Sequence, residues 1–130
     1  MTYNVISSRG INFKLIRHKG IMYKHEGEIY ITHRTEKGTQ HETLRSYLAA
    51  GREILDYEPH QCESVEQIRA YYNAHANDKF DYFTANCEQY VSDFRLLNNE
   101  QVVFRSPQLT AITLMLLLLT VILIKILKRK

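Results

Sequence analysis

The chain has 130 residues, 17 Lys/Arg, 14 Asp/Glu and two cysteines, for a formal net charge of +3. Four of the basic residues, Lys125, Lys128, Arg129 and Lys130, close the chain, leaving 13 basic against 14 acidic residues before them. That balance excludes a basic nucleic-acid binder, two cysteines without a Cys-x-x-Cys pair exclude a disulfide scaffold and a structural zinc site, and the length suits one domain.

The opening residues, Met1 to Gly10, hold no apolar run and do not read as a signal peptide. From Ile11 to Arg17 apolar and polar residues alternate, which predicts a strand. Gly20 to Lys24 predicts a second strand, His25-Glu26-Gly27 a turn, and Glu28 to His33 a third strand. The two ends of an antiparallel hairpin lie together, so His18 and His33 are expected to be neighbours.

Thr39 and Glu42 have capping-box spacing, and Leu44, Tyr47 and Leu48 form an apolar stripe that Gly51 would end. Arg52 to Glu58 predicts a strand stopped by Pro59. Ser64 and Gln67 form a second capping box, opening a helix with Val65, Ile68 and Tyr72 on one side and a close near Asn77 and Asp78. Asn86 can cap a third helix, with Gln89 reciprocal to it and Tyr90, Val91, Phe94 and Leu97 as its buried stripe. The sum is a small α+β domain over residues 1–100. Residues 101–108 read as a linker and 128–130 as a basic tail.

Residues 109–127 form an almost wholly apolar run that holds three threonines and one charge, Lys125. At ~1.5 Å per residue, that stretch would span roughly 28 Å, close to one hydrocarbon core. A C-terminal transmembrane helix is therefore expected, with Lys125 reaching toward headgroups. The expected localisation is a single-pass membrane anchor with the domain in the cytosol, although the trailing cations argue for the opposite orientation.

Cys87 falls in the first turn of the third helix, where free N–H groups and the helix dipole favour a thiolate. A thiolate near an imidazole is a nucleophile with its base. A buried, inert cysteine is the rival reading. Cys62, in a loop after Pro59, reads as inert. His25, His41, His60 and His75 read as surface residues, Tyr82 as a candidate cleft residue, and Glu88 as a first-turn acid favoured by the helix dipole.

His18-Lys-Gly-Ile21-Met-Tyr23, Ile31-Thr-His33 and Asn86-Cys87-Glu88-Gln89-Tyr90-Val91, in that order and before an apolar tail, resemble the lecithin:retinol acyltransferase family, especially its small phospholipase/acyltransferase members. The resemblance runs from about Phe13 to Leu97, plus the tail. It implies a permuted papain-like (NlpC-type) fold, with Cys87 as nucleophile, His18 as general base and His33 orienting or polarising His18. The implied reaction passes the acyl group of a glycerophospholipid through a Cys87 thioester to water, an amine or an alcohol. Glycerophospholipid and the bilayer are the implied partners, with no cofactor, no metal and no nucleic acid. A cysteine peptidase or isopeptidase of the related group, and a non-catalytic membrane-bound interaction or remodelling module, are the alternative expectations.

Overall fold

The computed structural model describes residues 1–9, 17–81, 85–100, 114–120 and 122. Among them are five strands, β1 (Thr2–Arg9), β2 (Arg17–His25), β3 (Glu28–Thr35), β4 (Gly38–Thr43) and β5 (Glu53–Gln61). They make one sheet in the order β4-β3-β2-β1-β5, with every neighbouring pair antiparallel. Three helices interleave with them: α1 (Leu44–Ala49), α2 (Val65–His75) and α3 (Cys87–Leu97). The expected strand over 11–17, Tyr82, the linker over 101–108 and the basic tail over 128–130 lie largely or wholly outside the described residues.

Both faces of the sheet are covered. Tyr3 and Val5 of β1, with Ile21 and Tyr23 of β2, pack with Ile68 and Tyr71 of α2 and Tyr90, Val91 and Phe94 of α3. On the other face Ile6, Met22 and Ile31 pack on Tyr47 of α1. Each fully buried large side chain contributes roughly 1.5–3 kcal/mol relative to exposure. Strands β1, β2 and β3 therefore carry buried residues of both parities.

The hairpin follows its sequence: β2 and β3 pair from Ile21↔Thr32 to His25↔Glu28 around Gly27, whose φ of +84° suits glycine. Gly20 meets a different demand. A Cβ there would stand 3.2 Å from His33 Cβ and 3.2 Å from Ile31 Cγ2, so glycine lets the two strands close around the histidine.

Several expectations change. Thr2–Arg9, for which the sequence predicted no element, form β1, an interior strand of the sheet. Thr39 and Glu42 belong to β4; Thr39 Oγ1 donates to the His75 carbonyl at 2.8 Å, and Thr43 caps α1 instead. Leu48 of the expected stripe is exposed, and β5 runs through Pro59, a residue an edge strand tolerates. Ser64 caps α2 as expected, but Gln67 reaches the Glu63 N–H rather than the cap. Leu97 is exposed at the end of α3.

The largest correction concerns the tail. Among the described residues no helix is long and apolar enough to cross a membrane, so the transmembrane helix expected over 109–127 is overturned as part of the fold. Residues 114–120 and 122 are helical, and Leu114 to Leu119 are exposed. The expected membrane anchor loses its support with it. What stands is the α+β domain with its antiparallel sheet.

Candidate active site

His18 opens β2 and His33 lies near the end of β3, on the sheet face that carries α1. The strand pairing brings them together as the hairpin predicts, with His18 Nε2 2.7 Å from His33 Nδ1 and the two rings nearly perpendicular. His33 is fully buried against the edge of the Tyr47 ring, and His18 is half-buried.

Glu42 completes the row. His33 Nε2 donates to Glu42 Oε1 at 2.8 Å. Arg52 donates to the same oxygen at 3.0 Å and Ser46 to Oε2 at 2.7 Å, while the Arg52 guanidinium lies over the Tyr47 ring. Sequence reasoning missed Glu42 because its spacing from Thr39 matched a helix cap. A signal existed in the alternation of β4, which puts Gln40 and Glu42 on one face and His41 on the other.

The electrostatics keep both imidazoles neutral at pH 7. Burial, then the neighbouring His33 and Arg52, push the His18 pKa down to about 3. Burial, with Arg52 adding to it, pushes His33 down to about 4 against the opposing pull of Glu42. Burial works against ionised Glu42, but the hydrogen bonds from Ser46 and His33 and the charge of Arg52 prevail and hold its pKa below the usual value. The row is a carboxylate and two neutral imidazoles.

Cys87 is the first residue of α3, whose cap is Asn86: its Oδ1 accepts from Gln89 N at 2.9 Å. The Gln89 side chain donates to Asp93 rather than returning to the cap. Helix α3 packs on β2 and β3, and the Cys87 sulfur faces the backbone N–H of Lys19, the residue after His18. Lys19 Nζ and Glu88 Oε1, 3.4 Å apart, pair beside it. Among the described residues Cys87 makes no hydrogen bond to either imidazole. The histidines lie on the α1 face and Cys87 begins a helix on the opposite face, so the three converge at the end of β2 without closing. Catalytic hydrogen bonds are commonly loose before substrate binds.

The thiolate expected from the helix terminus is not the resting state. Burial raises the Cys87 pKa and outweighs the Lys19, Glu88 and Cys87 N–H groups that lower it, with the Glu88 charge adding to the rise. Iodoacetamide should therefore alkylate Cys87 slowly at pH 7, with a rate that climbs past the ordinary thiol pKa of about 8.5. A rate already at its plateau by pH 7 would contradict this resting thiol.

The remaining candidates separate. Cys62 is buried, donates to the Ser64 carbonyl and is a free thiol, as is Cys87, so no bridge joins them. The four histidines read as surface residues are not uniformly so. His41 bonds Tyr23 Oη at 2.7 Å and stacks on Tyr23 and Tyr30. His60 stacks on Tyr3 with Nδ1 2.7 Å from Glu100. His75 pairs with Asp78, which also holds the buried Arg34. His25, at the hairpin tip beside Glu26, and His75 each keep a partly exposed place. Among the described residues no group of three or more His, Cys, Asp or Glu is placed to hold a metal ion.

No protein-family model matches this chain, and neither a curated protein nor a solved structure does.

Proposed function

We propose that this chain is a cysteine-dependent acyl-transfer enzyme that cleaves or transfers the acyl group of glycerophospholipids. The observation that carries the reading is the 2.7 Å His18–His33 contact at the end of β2, where the first residue of α3 is Cys87. The resemblance of the three histidine and cysteine motifs to the small phospholipase/acyltransferases supplies the substrate class. Lipid presented at a bilayer surface is the partner on this reading.

The chemistry starts from neutral groups. His18 takes the Cys87 proton as the sulfur attacks the ester carbonyl carbon, and the charge passes to the carbonyl oxygen. The Cys87 N–H at the start of α3 is the candidate donor to that oxyanion. Collapse breaks the bond to the glycerol oxygen, which leaves with the proton from His18. The acyl group is then a thioester on Cys87. Water, an amine or an alcohol gives a proton to His18, attacks the thioester and returns the thiol.

The loss of the expected membrane anchor favours a second reading, in which the same thiol cleaves a peptide or isopeptide amide, because the anchor was the argument for lipid over peptide. The two separate by turnover. The full chain should release fatty acid from short-chain phosphatidylcholine and leave an isopeptide substrate intact. Amide cleavage without ester release from the phospholipid would install the second reading.

A further inference from the structure

The base of the proposed reaction has two nitrogens, and the hydrogen-bond row determines which one is free. Glu42 is a carboxylate, and its oxygens already accept from Arg52 and Ser46. A carboxylate can only accept, so neutral His33 must donate to it through Nε2–H. His33 Nδ1 then has no hydrogen and can only accept. At 2.7 Å the donor to it must be His18 Nε2–H. His18 is consequently left with a bare Nδ1.

We propose that Glu42, clamped by Arg52 and Ser46, is a positioning residue that fixes the tautomers of both histidines and makes His18 Nδ1 the atom that receives the Cys87 proton. This rests on the acyl-transfer reading for its purpose, but its geometry involves no substrate. When Nδ1 takes a proton, positive charge develops on His18. The Nε2–H bond to His33 and the carboxylate behind it then stabilise that charge through a row of oriented donors. Arg52 has the opposite sign of effect. It holds Glu42 in place and also opposes the imidazolium, so the resting pair stays neutral. Tyr47 closes the row from α1, with its ring against His33 and its hydroxyl bonded to Ser8 rather than to either imidazole.

Two readouts test this on the full chain without any acyl substrate. The first is imidazole 15N NMR of the wild-type protein at pH 7. His18 and His33 should both carry hydrogen on Nε2 and none on Nδ1. A His18 bearing its hydrogen on Nδ1 would overturn the assignment. The second is iodoacetamide alkylation of Cys87 at pH 7 in wild type, Glu42→Gln and Glu42→Asp. Glutamine keeps an oxygen toward His33 and Arg52 but loses the charge. It should slow alkylation about tenfold, a part of the 10²–10⁴-fold effect of a general base, in a chain that stays folded with a somewhat lower urea midpoint, since the ionised carboxylate lends stability. Aspartate should recover part of the loss. Equal rates in wild type and Glu42→Gln would overturn the role. A chain that meets both expectations yet releases no fatty acid would sink the lipid reading and leave the Glu42 assignment standing.

Discussion

Cys87→Ser should reduce phospholipid ester turnover to background, and His18→Ala should lower it by about 10²–10⁴-fold. Acidity decides both outcomes. A buried thiol is already harder to ionise than a free one, and the serine hydroxyl is far harder still. His18, whose own pKa is pushed down to about 3, is too weak a base to activate an alcohol, yet it can share the proton of a thiol as the sulfur attacks. The His18→Ala variant should keep its fold, because this ring is half-buried at a strand start and not part of either apolar cluster. Release of fatty acid by His18→Ala within twofold of wild type would remove the histidine from the mechanism.

Acid should unfold the protein well before ordinary carboxylate titration would. His18 and His33 hold folded pKa values of about 3 and about 4, below the unfolded value of about 6.5. Between those limits the unfolded chain binds more protons than the folded one, so stability falls as pH falls. It is full above about pH 6.5 and declines toward pH 4. Fully buried His33 alone accounts for on the order of 3 kcal/mol across that window. Glu42, with its lowered pKa, adds a loss of the same sign below its unfolded value. Against a typical total of about 5–15 kcal/mol the change is large. Urea midpoints at pH 7.5 and pH 4.5 measure it. The midpoint should drop clearly at pH 4.5 in wild type and less in His33→Gln. Equal wild-type midpoints would mean that the imidazoles are not held neutral in the fold.

What the sequence made legible was local. The Asn86 and Ser64 caps need only a side-chain oxygen three residues before an N–H, and both stand where the spacing puts them. The β2–β3 hairpin needs only Gly27 and two alternating runs, and it delivers His18 to His33. What was not legible depended on distant neighbours. Strand β1 is an interior strand of a sheet covered on both faces, so Tyr3, Val5, Ile6 and Ser8 are all buried and no alternation marks it. Strand β4 was hidden because Thr39 and Glu42 imitate a cap. The partners that claim them, the His75 carbonyl and the His33 ring, come from α2 and from β3. The Cys87 thiolate failed for a related reason: the helix terminus is a local effect, and burial where α3 packs on the sheet overrides it. The apolar tail was read from composition alone, and among the described residues no helix is long and apolar enough to cross a membrane.

The most direct measurement is the intact mass of the full chain after incubation with short-chain phosphatidylcholine, beside a Cys87→Ser control. The account predicts an added mass equal to one acyl group on wild type, removed by hydroxylamine and missing from the control. An unmodified wild-type chain that also releases no fatty acid would contradict the claim that Cys87 takes the acyl group of a phospholipid.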